Sequence, residues 1–238
     1  MNAVRHRFVA APLLGAMCAL LWTFSPAAAT VAEPPFERVF ARFNAALPPA
    51  YRALRHMEAG LPGSDKQAQL DTWTEYQPSQ GFRYDVVKES GDDYVRQHVL
   101  RKLLRAEQEL LATGKPLRAS LDRMNYEFGD GGLTNSGLQR VTLRPLRKAD
   151  GIINGVLFVE PGEDRVVRIQ GRLVKSPSFW VRDVDVTWQY TRVNDHIVPT
   201  EMSSTARVRF YGNSYFKMSY RYESIDGRDT GVEENKQE

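Results

Sequence analysis

Ser214 and Lys217 stand three apart in a Ser-Tyr-Phe-Lys run, the S-x-x-K spacing at which a lysine can activate a serine nucleophile. That chemistry needs a helix, where positions three apart share a face. The residues around the run alternate polar and apolar, so a strand would send the two side chains to opposite sides. Asp183 and Asp185 would share one strand face, the arrangement from which a general acid and a general base are made when two carboxyl groups are held in different environments. They fall opposite an aromatic face and among basic residues of neighbouring segments, which predicts exposed cross-strand ion pairs instead. His56, His98 and His196 have no partners at metal-ligand spacing, and no H-E-x-x-H pair occurs. Gly129-Asp130-Gly131-Gly132 is glycine-rich without the spacing of a P-loop or a dinucleotide fingerprint, and the glycines between Phe128 and Gly137 read as a flexible loop. Arg165, Arg168, Arg172, Arg207, Arg209 and Arg221 could line up as a basic stripe. Acids are interleaved with them and the aromatics fall on the other face, which argues against a nucleic-acid groove. The expectation is therefore a protein that is not an enzyme and that uses no cofactor or metal.

The elements that would position these residues divide at about residue 138. Before it the apolar spacing is mainly helical. Phe36, Val39, Phe40, Phe43, Leu47, Tyr51 and Leu54 recur at three and four, which predicts helix over 34–59, interrupted or kinked at Pro48-Pro49. Leu61 to Asp65 is a turn by composition, and 67–76 with 82–89 reads as a hairpin. Asp92 is a helix cap for a run to about Thr113 carrying Tyr94, Val95, Val99, Leu103, Leu104, Leu110 and Leu111, closed by Gly114-Lys115-Pro116. From Leu138 to Ser224 the period changes to two. Val167, Ile169 and Leu173 alternate with Arg168, Gln170 and Arg172. Trp180, Val184, Val186, Trp188 and Tyr190 alternate with Asp183, Asp185, Thr187 and Gln189. Met202, Ala206, Val208 and Phe210 form a third such series, and Phe216, Met218, Tyr220 and Tyr222 a fourth. Turn signals at Asp150-Gly151, Pro161-Gly162, Lys175-Ser176-Pro177, Asn194-Asp195 and Gly212-Asn213 make successive strands antiparallel neighbours.

The N-terminus reads as an export leader. Arg5, His6 and Arg7 precede an apolar run from Phe8 to Phe24 and the small residues Ala27-Ala28-Ala29, with cleavage after Ala29 or, alternatively, Ala32. The run is shorter than the roughly 20 residues of a spanning helix, so no permanent membrane anchor is expected. Cys18, the one cysteine of the 238 residues, lies in that run. Without it the exported chain has no disulfide, thiolate metal site or thiol nucleophile, and its stability must come from an apolar core. Arg5 and Arg7 supply two of the three net positive charges, which leaves the exported chain close to neutral. The sequence pI of about 9.0 is thus weak evidence for an anionic partner.

A long antiparallel sheet with one polar face must cover the other, and the helices at 34–59 and 92–113 carry apolar stripes able to do so. The fold class that follows is α+β, mainly β: a strongly curved antiparallel sheet, an open half-barrel wrapped around helices that cover its concave face. Residues 1–29 would be the leader, 30–228 one domain and 229–238 a disordered charged tail. Trp180, Val184, Val186, Trp188, Phe210, Phe216, Met218 and Tyr220 fall on the concave face, where wide and soft side chains either line a cavity for an apolar ligand or simply form core.

The layout, together with the run Val167-Arg168-Ile169-Gln170-Gly171-Arg172-Leu173-Val174-Lys175-Ser176-Pro177-Ser178-Phe179-Trp180, resembles bacterial periplasmic proteins of the outer-membrane lipoprotein-sorting (LolA-like) superfamily. The resemblance implies an open, unclosed barrel with helices inside it as a lid, and acyl chains or lipids held in the cavity. It implies a periplasmic carrier or binding protein for an acyl chain, lipid or lipoprotein, with an envelope or outer-membrane protein as a further partner. The alternative is a protein-interaction or regulatory module of the cell envelope whose apolar sheet face is solid core.

Overall fold

Strands joined by short turns and alternating in polarity should pair in sequence order, and in the computed structural model they do. It describes residues 39–40, 43–44, 49–113, 120–163 and 165–231. The proposed leader with Cys18, the Pro48 kink, the Gly114–Pro116 stop and the last seven residues lie outside the described residues.

Strands β1 (Tyr51–Gly60), β2 (Gln67–Gln77) and β3 (Gly81–Gly91) form a meander. Strands β4 (Tyr126–Leu133), β5 (Gln139–Pro145), β6 (Ile153–Glu160), β7 (Arg165–Leu173), β8 (Val181–Val193), β9 (His196–Val208) and β10 (Gly212–Ile225) form a second. Pairing of β1 with β10 joins them into one antiparallel sheet of order β3-β2-β1-β10-β9-β8-β7-β6-β5-β4, which does not close. A short β11 (Arg228–Asp229) pairs with β10, and Thr230 N–H donates to Glu223 O at 3.0 Å.

The expected helix over 34–59 is corrected in its second half. Val39, Phe40, Phe43 and Asn44 are helical, but Tyr51–Gly60 is a central strand. Tyr51, Ala53, Arg55, Met57 and Ala59 are all buried and lie two apart. Arg55 in the middle of that series hides its period, and Ala, Leu, Met and Glu around it favour helix on propensity alone. Pairing on both sides of β1 overrides that preference. The expected loop at 128–137 is also corrected: Tyr126–Leu133 is edge strand β4, and only 134–138 turns. Gly129 is there for clearance, since a Cβ would approach Thr142 Oγ1 to 2.6 Å, and Gly132, at φ +71°, sits in a bulge between Asp130 and Leu133.

One row of side chains crosses the sheet. Leu70, Met57, Met218, Met202, Trp188, Ile169, Leu157 and Val141 are successive cross-strand partners from β2 to β5. A parallel row passes through Phe216, Ser204, Val186, Gly171, Gly155 and Leu143. At its Gly155–Gly171 pair the backbones come so close that a Cβ on Gly155 would lie 2.1 Å from the Gln170 carbonyl oxygen and 2.7 Å from Gly171 Cα.

Helix α1 covers part of this face. It comprises a turn at Asp93–Val95, a π-helical stretch Arg96–Leu100 and an α-helix Arg101–Ala112. Asp92 caps it as expected, accepting from Val95 N–H at 3.0 Å. The inward stripe differs from the expected one: Val95, Leu100, Leu104 and Leu111 are buried, while Tyr94, Val99, Leu103 and Leu110 are exposed. The π-turn inserts one residue, so the position following Val95 on the inner face is five along rather than four.

The core has two parts. Val39, Phe40 and Phe43 pack with Tyr126, Val141, Leu143, Leu157 and Val186 on the β4–β8 side. Helix α1 packs with Met57, Leu70, Phe82, Met218 and Tyr222 on the β1–β3 and β10 side. Trp188 and Met202 touch both. Replacing Gly155 by alanine forces the β6 and β7 backbones apart, and the expected cost is about 1–3 kcal/mol in urea unfolding. An unchanged midpoint would show that the two strands can separate freely.

Candidate functional site

The inner sheet face is the surface on which the sequence placed a ligand. Of the eight residues expected there, Val184 and Val186 are buried in the part of the core that includes Val39, Phe40 and Phe43. Met218 is buried beneath α1, with Phe216 and Tyr220 packed against it, and Trp188 bridges the two parts. Trp180 and Phe210 do not belong with them. They are 56% and 91% exposed. Trp180 precedes the start of β8, and a register shift between Arg182 and Asp185, with Asp183 at φ +48°, breaks the phase that would have carried Trp180 inward. Phe210 lies beyond the end of β9, at φ +69° in the turn to β10.

The feature that the alternation did not announce is Arg55. It projects from the middle of β1 onto the inner face and is 1% exposed. Its guanidinium donates from Nη1 and Nη2 to the two carboxylate oxygens of Glu107 on α1, at 2.6 and 2.8 Å, and from Nη2 to the Tyr51 hydroxyl at 2.6 Å. The cation also lies 4.7 Å from the Tyr220 ring centroid and 5.2 Å from that of Phe82. Its Nε is buried without a partner. Around this charge burial pushes the Tyr51 phenol up to about 12, against the opposing pull of Arg55. Burial raises the Tyr220 and Tyr222 phenols as well.

A signal for this pair was present in the sequence. Arg55 interrupts the apolar series of β1, and Glu107 occupies the inner phase of α1 between Leu104 and Leu111. Two opposite charges, each standing where an apolar side chain is expected, pair when their elements pack. Three further polar contacts tie α1 to β3 beside its buried Val95, Leu100, Leu104 and Leu111: Arg96 and Arg101 bind Glu89 at 3.0 and 2.9 Å, and Gln108 Nε2 donates to Phe82 O at 3.1 Å.

The outer face carries most of the other sequence candidates. Asp185 and Asp183 pair with Arg172 at 2.8 and 4.0 Å, the exposed cross-strand arrangement expected for them, and Arg172 holds the Asp185 carboxyl below its usual range. His56 Nδ1 is 2.6 Å from Asp71 and His196 Nε2 is 2.7 Å from Asp226. His98 stacks on Tyr94 at 4.3 Å. Ser214 donates to Ala206 O at 3.2 Å and stands three strand positions from Lys217, on the opposite face. Two shallow depressions open on this outer face, one lined by Arg172, Asp185, Arg207 and Tyr215, the other by His56, Glu58, Glu201 and Lys217.

No protein-family model matches the chain, and no curated protein matches it by sequence. Among solved structures it is similar to a LolA superfamily protein from Nitrosomonas europaea, with 8% identity, a TM-score of 0.41, and coverage of 79% of this chain and 90% of that one. It is also similar to a domain described as an outer membrane lipoprotein-sorting protein from Vibrio parahaemolyticus, with 12% identity, a TM-score of 0.31, and coverage of 78% and 88%.

Removing one member of the Arg55–Glu107 pair strands the other. Glu107→Gln should cost about 3–5 kcal/mol in chemical denaturation, and the double change Arg55→Met with Glu107→Leu should recover most of that loss. A single change without measurable cost would mean that α1 is not fixed through this pair. The tyrosines add an alkaline limit. The Tyr51 phenol ionises near 10 when unfolded and near 12 when folded, so its contribution is intact below pH 10 and is lost as pH rises through 12. Its share is roughly 2–3 kcal/mol. Tyr51→Phe should flatten the decline in stability over that window, as read from unfolding curves at successive pH values.

Proposed function

We propose that the protein is a carrier or binding protein of the cell envelope for an acyl chain or lipid, held between the inner sheet face and α1. The observation that carries this reading is the buried Arg55–Glu107 contact. Among the described residues it is the most deeply buried of the charged contacts that join α1 to the sheet, with the Arg55 and Glu107 side chains 1% and 13% exposed, and it breaks as a unit when α1 moves away. The inner face then presents Met57, Leu70, Met218 and Tyr220 to a ligand, with soft and wide side chains able to repack around it. A methylene taken from water onto this face contributes about 0.8 kcal/mol, so a long chain supplies enough to displace the Leu100, Leu104 and Leu111 side chains of α1. Arg55 then needs a new anion, and a carboxylate or phosphate at the polar end of an amphiphile supplies one. The resemblance of the 167–180 run to lipoprotein-sorting proteins, and the unclosed sheet, point the same way. In that reading the open sheet is a half-barrel with α1 as its lid, and the export leader delivers it to the periplasm.

The test is direct. Protein purified gently from the envelope should yield lipid on solvent extraction and mass spectrometry. Delipidated protein should bind N-phenyl-1-naphthylamine saturably, with displacement by a long-chain fatty acid. Met57→Trp, which fills the space under α1, should lower dye affinity about tenfold or more, whereas Ser219→Trp on the outer face should not. No lipid and no dye binding would leave the inner face as solid core and the protein as an interaction module.

A further inference from the structure

The two residues that the strand phase failed to bring inside are not scattered. Phe179 and Trp180 end the β7–β8 connection, Phe210 and Tyr211 form the β9–β10 turn, and the four are 66%, 56%, 91% and 70% exposed. The two segments are fastened together by Arg209 N–H, which donates to Trp180 O at 2.9 Å, and a bridge from Ser178 to Val181 tightens the first of them. The Phe179 and Trp180 rings meet edge to face with centroids 5.4 Å apart, and Trp180 and Phe210 are 6.3 Å apart. Phe210 holds its exposed position at φ +69°, a conformation that a bulky residue seldom adopts.

Beside these rings stand three arginines that no carboxylate among the described residues neutralises. Arg182 and Arg207 are direct cross-strand partners, a juxtaposition of like charges that disfavours the pairing unless an anion lies between them. Arg209 is two residues from Arg207, with its guanidinium 3.9 Å from the Phe179 ring centroid and its Nε buried without a partner. The nearby acids Asp183 and Asp185 are taken by Arg172, and among the described residues Arg182, Arg207 and Arg209 form no ion pair.

We infer that this end of the sheet is a docking surface for an anionic lipid bilayer. The rings stand out at the tips of two adjoining turns instead of lining a groove, which suits a deformable headgroup layer better than a rigid protein surface. Aromatic side chains partition to such interfaces, and arginines behind them reach lipid phosphates. Contact is shallow, because the apolar tip is four residues and no helix of the described residues is long and apolar enough to cross a membrane. This docking goes beyond the carrier reading and does not depend on it, since it needs no ligand inside.

Flotation with vesicles separates the outcomes. The exported protein should float with vesicles of phosphatidylcholine mixed with phosphatidylglycerol, and not with phosphatidylcholine alone, the bound fraction falling as salt is raised. Trp180→Ser with Phe210→Ser, and separately Arg182→Gln with Arg207→Gln, should each weaken binding about tenfold or more. Trp180→Phe should keep binding while losing the quenching of tryptophan emission by lipids brominated in the acyl chain. The replaced side chains are exposed, so far-UV circular dichroism, the urea midpoint and naphthylamine uptake should match the parent, which separates failed docking from a failed interior site. Equal binding to neutral vesicles, undiminished binding of both double variants, or a vesicle-independent dimer abolished by the same changes would overturn the inference.

Discussion

An antiparallel sheet ten strands across that does not close must keep one whole face out of water while leaving two edges unpaired. The row from Leu70 through Met57, Met218, Met202, Trp188, Ile169 and Leu157 to Val141 meets that constraint strand by strand. At ~25 cal/mol per Å² of apolar surface removed from water, such a row rewards one register and penalises a slip by one residue, which would turn every member outward. The row ends at charge on both sides, with Glu89 opposite Leu70 and Asp130 opposite Val141. Charged residues at sheet edges discourage a further strand from adding there.

Two helical pieces cover this face, and they do so by different physics. Val39, Phe40 and Phe43 enter an apolar environment, with the Phe43 ring edge-on to Tyr190 at 5.2 Å and Phe40 stacked on Phe128 at 4.2 Å. Helix α1 adds to its leucines a bidentate ion pair buried in an aromatic box. A buried pair of this kind is weak as a source of net stability, but it is demanding in geometry: Arg55 and Glu107 each tolerate burial only when the other is in place. The contact therefore fixes one placement of α1 and makes departure from it nearly all-or-none. In the proposed carrier, a covering element with those properties would keep the face closed until an amphiphile offered both a chain to bury and an anion for the arginine.

The aromatic residues divide into an inner and an outer set, and backbone conformation makes the division. Trp188, Tyr190, Phe216, Tyr220 and Tyr222 keep the strand period and face the core. Trp180 and Phe210 share the residue type but sit beyond a register shift and a left-handed turn residue, respectively. The same interruption that removes them from the inner face gathers them with Phe179 and Tyr211 beside three arginines.

By itself the sequence determined what local period and local chemistry can specify. The strands from Leu138 onward, the β2–β3 hairpin, the Asp92 cap, the exposed cross-strand pairing of Asp183 and Asp185 with basic neighbours and the inward set Val184, Val186, Trp188, Phe216, Met218 and Tyr220 were legible, because alternation and capping act between residues a few positions apart. Tertiary structure decided the rest. Tyr51–Gly60 is a strand because β2 and β10 pair with it, against its own propensity, and Gly129 and Gly131 suit the edge strand because Thr142 and Arg140 of β5 leave no room there for a Cβ. The π-turn in α1 rotated the inner stripe by a residue that no periodic template contains. Arg55 and Glu107, 52 positions apart, each looked like a flaw in an apolar pattern. Only packing, which removes water from both at once, makes the two flaws into one interaction.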